Sequence, residues 1–420
     1  MSIQKRQIHQ KGNKMTKKEI EVACSIKKKS FDAGKEIGKK LSAIKPENVF
    51  LFASVKHDFK KLIKGILSET KTTIIGCSTA GEIYNDKVFE ESAVALGFNS
   101  PNIKIGSGLG ICNNSPKKAG AESLRNSLEN LKSKNLTNIF ARYYAAIIND
   151  PTKLMFKLPS FSLMTFIDGL ASAEAVLRGI QQDFRIPIPL IGGSAGDDLK
   201  LKKTLQICNN KVYTDSVVTT SLFTNKKLCF GVRHGWIPRK RAAFVTKAKG
   251  RIVYELNNRP ALEVYAELLD VNKDKLLAEK NIAFKTGLQH PFAIISIAGD
   301  CWLKHPQAVF EDGSISFFSE VPEGAALVVT DGTSDSLINA GIEAAKEAIK
   351  PLRKVEAIFV FNCVARKAFL GKKAEDEIKQ IAKLVNAPII GFYSYGEQAF
   401  SPTTPVCHRN QTIAIMAIGE

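Results

Sequence analysis

The chain has 420 residues, 44% of them hydrophobic and 24% charged, and carries a net charge of +19. That length and apolar content support one large or two ordinary domains and exclude a chain that is disordered throughout. No apolar run approaches the roughly 18 to 20 residues that span a bilayer, and the polar, basic N-terminus lacks the apolar segment of a signal peptide, so the sequence reads as that of a cytoplasmic protein without a membrane partner.

Residues 1–29 form a basic tail that includes Lys5, Arg6, Lys11, Lys14, Lys17, Lys18, Lys27, Lys28 and Lys29. No nucleic-acid motif or aromatic platform accompanies the charge, so the tail reads as solvated and no specific nucleic acid is expected. The cysteines at 24, 77, 112, 208, 229, 301, 363 and 407 include no C-x-x-C pair, which removes support for structural zinc and for covalently attached haem. A disulfide framework is not expected in a long chain of a reducing compartment.

Three segments share one layout, the signature of an internal repeat. The first opens with an apolar strand over 49–54, continues with a helix over 58–69 carrying Phe59, Leu62, Ile63, Ile66 and Leu67 on one face, and returns as a strand over 72–75 into Gly76-Cys-Ser-Thr-Ala-Gly81-Glu82. The second runs from the strand 163–168 through a helix with Ala175, Val176 and Ile180 to the strand 189–191 and Gly192-Gly-Ser-Ala-Gly196-Asp197-Asp198. The third runs from 357–363 through a helix over 374–385 to 388–390 and Gly391-Phe-Tyr-Ser-Tyr-Gly396-Glu397. Each glycine loop carries a serine, closes with glycine and an acid, and is followed by a further apolar strand, over 93–98, 217–223 and 411–418.

Apolar strands flanking a helix predict βαβ crossovers, hence an α/β fold of repeated βαβ-type units in two mixed sheets covered by helices. Crossovers bring the strand C-termini to one sheet edge, where ligands bind in such folds. The residues expected there are Ser54, Asp168 and Cys363 after the first strands, and Ser78, Glu82, Ser194, Asp197, Asp198, Ser394 and Glu397 in the loops. The alternative is that the glycines only make tight turns capped by Ser and acid side chains.

The region between the second and third copies differs. It predicts a strand and turn over 226–238, a hairpin over 244–254 turning near Gly250, a helix opened by Pro260, and strands over 292–297 and 326–330. Two parts are expected, 30–240 and 241–420, meeting near residue 240.

Gly76-Cys-Ser-Thr-Ala-Gly-Glu-Ile83, Phe166-Ile-Asp-Gly169 and Ile191-Gly-Gly-Ser-Ala-Gly-Asp197 resemble the N-terminal domain of the FIST family. Arg233-His-Gly-Trp236 and the run Val253 to Tyr265 resemble the segment joining its two parts, while Phe361-Asn-Cys-Val-Ala-Arg366 and Gly391 to Glu397 resemble its C-terminal domain. The resemblance covers the chain from about residue 30 onward. It implies a sensory module of bacterial signal transduction that binds a small molecule, with amino acids as the general suggestion. Some free-standing members resemble haem-binding nitric oxide sensors that act on a histidine kinase or a cyclic-di-GMP output. The sequence contains no recognisable kinase segment, so output requires a signalling partner such as a sensor histidine kinase; self-association is left open.

A haem sensor needs an imidazole facing an apolar pocket. His234, beside Trp236 in the joining motif, is the preferred ligand, ahead of His290 and His305, which each precede proline. A carboxylate ligand would instead use Arg366, with Asp168, Glu82 and Glu397 receiving an ammonium group; the alternative is an Arg–carboxylate pair that joins two loops without any ligand. Gly192 to Gly196 fits the G-x-S-x-G nucleophile elbow, but the following Asp197-Asp198 and the absence of a predicted helix argue against a hydrolase. Cys77 and Cys363 read as buried thiols. The expectation is a non-enzymatic ligand-binding sensor; a protein-interaction scaffold is the alternative.

Overall fold

All three strand–helix–strand units are present, and in each the two strands are parallel neighbours: Asn48–Ser54 with Thr73–Thr79, Ser160–Ile167 with Leu190–Ser194, and Val355–Cys363 with Ile389–Ser394. The computed structural model describes residues 18–131, 160–184, 188–279, 281–295, 301–401 and 404–420. Most of the basic tail and His9 lie outside them. Residues 20–25, counted with the tail in the sequence, form an edge strand, Ile20–Ser25, antiparallel to Ala93–Phe98.

Each unit builds a six-stranded mixed sheet of one plan. An outer strand pairs with the strand that follows the glycine loop, then come the two parallel strands, then a short hairpin. The hairpin is always donated by another unit. The first unit's hairpin, Glu82–Phe89, extends the third sheet; the second unit's, Gln206–Tyr213, extends the first; the third unit's, Glu397–Arg409, extends the second. This cyclic exchange ties the three sheets into one body and leaves no unit complete alone.

The strands read as continuous apolar runs because both faces are covered. The inner faces meet in a shared core around Phe50, Phe52, Phe98, Phe166, Phe359, Phe361 and Phe392. Ring centroids lie 4.7 Å apart for Phe52 and Phe392 and 5.3 Å apart for Phe50 and Phe359, the latter edge-on, as ring quadrupoles prefer. The outer faces carry helices Ser30–Leu41 and Phe59–Leu67 on the first sheet, Pro116–Asn130 and Ala173–Phe184 on the second, and Ser334–Ile349 and Ala374–Ala382 on the third. Asp58 caps Phe59–Leu67 by accepting from the Lys61 N–H, and Thr333 with Ser336 forms a capping box at Ser334–Ile349.

The third unit is interrupted. Its outer strand, Lys227–Arg233, pairs with Ile413–Gly419, yet its first helix starts only at Ser334. The intervening strands, from Ile237–Lys249 to Ala326–Asp331, form a separate eight-stranded sheet that packs helix Ala261–Leu269 around Tyr265, Phe292 and Phe317. The strand Ile237–Lys249 runs through residue 240. Mixed sheets covered by helices are thus found as expected, but among the described residues they number three rather than two, and the inserted fourth sheet is antiparallel throughout. No helix of the described residues is long and apolar enough to cross a membrane.

Candidate functional site

The three glycine loops converge, and they do so by bonding directly to one another. Ser78 Oγ donates to the Gly196 carbonyl at 2.6 Å, the Ser194 N–H to the Gly396 carbonyl at 2.8 Å, and the Ala80 N–H to the Tyr393 carbonyl at 2.9 Å. The leading glycines serve strand contact: a Cβ on Gly76, Gly192 or Gly391 would lie 1.8, 2.0 or 2.0 Å from a carbonyl oxygen of the neighbouring strand. The sheet edge where ligand was expected to bind is therefore filled, at the point where the loops meet, by the loops themselves.

Most of the polar residues expected to bind ligand are consumed in this packing. Glu82 is fully buried and accepts from Thr79 Oγ1, the Ser92 N–H and Ser92 Oγ. Glu397 is fully buried and accepts from Ser394 Oγ at 2.6 Å and the Thr412 N–H at 3.1 Å. Burial pushes the Glu82 carboxyl up to about 7 and that of Glu397 up to about 8, against the pull of those donors. Asp168 caps its own loop by accepting from the N–H groups of Leu170 and Asp215. Asp198, half-buried, accepts from Ser54 Oγ at 2.8 Å.

Arg366 is likewise engaged within the protein. It is fully buried and bonds Glu377, Asn362 and the carbonyls of His234 and Leu337, so the pairing alternative is the one realised, with Glu377 as the acid. The reason is local: Gly341 on the facing helix leaves room that Glu377 fills, where the other two units press helices together at Gly34 with Gly65 and at Gly120 with Gly179.

Pairing register also corrects the alignment of the loops. Cys363 stands opposite Ser394 and Ser54 opposite Thr79, so Ser394 corresponds to Thr79, while Ser78 corresponds to Ser194. Likewise Glu82 and Glu397 open their hairpins, and the residue that opens the second hairpin is Gln206. Asp197 is not its counterpart; residues 197–205 are an extra loop of the second unit. Asp197 folds that loop by accepting from the N–H groups of Leu201, Lys202 and Lys203 at 2.7 to 2.9 Å and from the Tyr395 hydroxyl. Burial raises its carboxyl, but these donors outweigh it and hold it below the usual range.

A cavity does open beside the converged loops, between the second and third units and the inserted sheet. Its cavity volume is about 70 Å³, and the 730 Å³ of non-atom space around it includes open solvent. Of the residues singled out from sequence as ligand-binding, only Ser194 lines it, joined by Cys363 and His305. Gly169, Ala171 and Ala173 form one wall and Val364 and Ala365 another, at the ends of first strands and the starts of helices. Leu199 and Leu201 of the extra loop and Phe284 and Phe318 of the inserted sheet supply apolar surface. Arg251, His305, His408, Asn410 and Tyr395 supply polar groups.

The polar groups are held from behind. Arg251 donates to the Ala171 carbonyl at 3.3 Å and lies 3.7 Å from Glu174. His305 Nε2 donates to the Ala283 carbonyl at 2.7 Å, which fixes its tautomer. His408 Nδ1 and Ser194 Oγ both accept from Gln398 Nε2. Burial depresses both imidazoles to about 4, so each is neutral near pH 7. Cys363 Sγ accepts from the Gln411 N–H, and burial together with nearby Glu397 pushes its thiol up, away from a thiolate. Cys77 is fully buried and its thiol is likewise raised.

His234 does not fit an axial haem ligand. Its Nδ1 accepts from the Trp236 N–H at 3.1 Å, so the neutral ring keeps its proton on Nε2 and has no free lone pair, and the residue does not line the cavity. His290 is likewise engaged, bonding Asp331, which Arg239 grips with two bonds. Among the described residues no group of three or more His, Cys, Asp and Glu is placed to hold a metal ion.

Sequence reasoning missed Arg251, Phe284, Phe318, His408 and Asn410. Tyr395 lay within the third loop motif and was legible there; the others come from the inserted sheet or the far end of a hairpin, and only tertiary structure brings them to the loops.

Comparison with known proteins agrees with the sequence motifs. The chain is 28% identical over 245 residues to an uncharacterized protein of Methanocaldococcus jannaschii, covering 50% of this chain and 45% of that one, so it spans under half that relative's length. Among solved structures, cyanuric acid hydrolase from A. caulinodans aligns over 96% of this chain and 99% of its own at 7% identity and a TM-score of 0.34. PurL of T. maritima aligns over 96% and 72% at 10% identity and a TM-score of 0.18. Scores this low transfer no property. The FIST N domain matches residues 47–259 and the FIST C domain residues 261–400, and the chain belongs to the FIST family.

Proposed function

We propose that this protein is a non-enzymatic sensor whose small-molecule ligand occupies the cavity between the three-unit body and the inserted sheet. FIST domains are sensor domains of signal transduction, which supports a sensory role in general. The observation that carries the reading is the composition of the cavity wall: the body contributes Ser194, Tyr395, His408 and Asn410, and the inserted sheet contributes Arg251, His305, Phe284 and Phe318. A ligand touching both sides stabilises one relative placement of the two parts, and a signalling partner such as a sensor histidine kinase reads that placement. Non-catalytic binding is supported by the protonated Cys363 thiol and by Gln398, whose amide bonds Ser194 Oγ and His408 Nδ1 and so occupies the imidazole lone pair that a base would use.

The test is thermal unfolding of the whole chain against a set of organic acids, amino acids and haem, for the protein and for Ala171→Trp, which fills the cavity. A true cavity ligand raises the melting temperature of the protein and not of the variant. Equal stabilisation of both, or stabilisation by no compound, defeats the reading.

A further inference from the structure

The charge at the cavity wall is one-sided. Of the described residues that line it, none is Asp or Glu, while Arg251 presents a guanidinium with donors left over from its contacts to Ala171 and Glu174. The acids expected to receive an ammonium group are elsewhere occupied: Glu82 and Glu397 are buried in internal bonds, and Asp168 accepts backbone N–H groups. The nearest acid, Glu174, stands behind Arg251 and lines an adjoining groove instead.

Other features favour negative charge. The twelve-residue helix Ala173–Phe184 begins at the wall, with Ala171 and Ala173 on the cavity, so its positive dipole end faces the space. Lys200 and Lys202 are exposed on the loop that carries Leu199 and Leu201 at the wall, and raise the local anion concentration. Beyond the cation the surface is apolar and aromatic, with Phe284, Phe318 and the two leucines.

Resting on the cavity reading above, we propose that the occupant is a small organic monocarboxylate with an apolar or aromatic body and no ammonium group, its carboxylate paired with Arg251. An α-amino acid is disfavoured, because its ammonium would be desolvated beside a guanidinium and a helix N-terminus, with no carboxylate among the residues that line the cavity and Glu174 already facing Arg251. A neutral amide forgoes the charge-assisted fork to Arg251.

Calorimetric titration of the full chain with three matched probes tests this: 3-phenylpropionate, phenylalanine and 3-phenylpropionamide. The expected order is 3-phenylpropionate at least about tenfold tighter than either of the others. Arg251→Gln erases that preference and leaves the amide unchanged, while Arg251→Lys retains part of it. Arg251 is partly exposed, so neither variant disturbs a packed core. Phenylalanine or the amide binding as tightly as the acid, or an Arg251→Gln protein that keeps the preference, overturns the carboxylate assignment and leaves the cavity reading standing. Failure of all three probes at millimolar concentration also overturns it; the Ala171→Trp comparison then decides separately whether the cavity binds anything.

Discussion

The hydroxyl of Ser78, in the first unit, donates to the carbonyl of Gly196, in the second, at 2.6 Å, and accepts from the Leu205 N–H at 2.9 Å. One side chain thus satisfies two buried backbone groups of a neighbouring repeat. Ser78→Ala leaves both without that partner and costs about 1–3 kcal/mol. Urea unfolding measures the loss. Because Ser78 does not line the cavity, ligand affinity stays as in the parent.

Arg366 and Glu377 form an ion pair with neither side chain exposed. Removing one partner leaves an uncompensated buried charge, so Arg366→Met destabilises by about 3–5 kcal/mol. The double variant Arg366→Met, Glu377→Leu recovers most of that loss. A double variant no more stable than the single one would mean that the bonds from Arg366 to the His234 and Leu337 carbonyls matter more than the pair.

Glu82 and Glu397 set a pH dependence with a definite sign. Their folded carboxyls are raised to about 7 and about 8 from an ordinary 4.5, so the folded state holds more protons than the unfolded chain between those values. Their stabilising contribution is complete below the ordinary value and is lost as pH rises through 7 and 8. The buried His305 and His408, lowered to about 4 from 6.5, act in the opposite direction but only below 6.5. Above that, melting temperature falls toward about pH 9, and Glu397→Gln flattens the fall. A parent protein whose melting temperature is level across that interval contradicts the assignment.

Asp197 holds a loop in which Asp198, Leu199 and Leu201 have φ of 55°, 61° and 52°. Leucine rarely adopts that left-handed region, and such a conformation persists only where surrounding bonds enforce it. Asp197→Ala removes the acceptor of three backbone N–H groups, so amide hydrogen exchange at 199–203 accelerates. Ligand affinity falls with it, since Leu199 and Leu201 form part of the cavity wall.

The strands and helices of the repeats were legible in the sequence. Ala93–Phe98 forms as read, and Val355–Cys363 and helix Phe59–Leu67 lie within a few residues of their expected bounds. Continuous apolar runs and helical spacing are local signals, and burial on both faces rewards them directly. The polar sheet edge was legible as residues and illegible as a site. Glu82 and Glu397 look the same in sequence whether they meet a ligand or a neighbouring Ser, because the deciding partners, Ser92 and Thr412, face them only after the hairpin has crossed to another sheet.

The sequence by itself determined three βαβ units, their glycine strand ends and their family, because spacing and apolar pattern are carried by neighbours along the chain. Tertiary structure alone decided that each hairpin completes another unit's sheet, that a second sheet interrupts the third unit, and that the loops fill their own meeting point. Those outcomes depend on contacts between residues hundreds of positions apart, such as Thr165 with Gln398 or Ala80 with Lys367, whose pairing no local pattern encodes. The cavity follows from the same geometry: Arg251 and Ser194 share a wall only because the inserted sheet docks where two of the repeats meet.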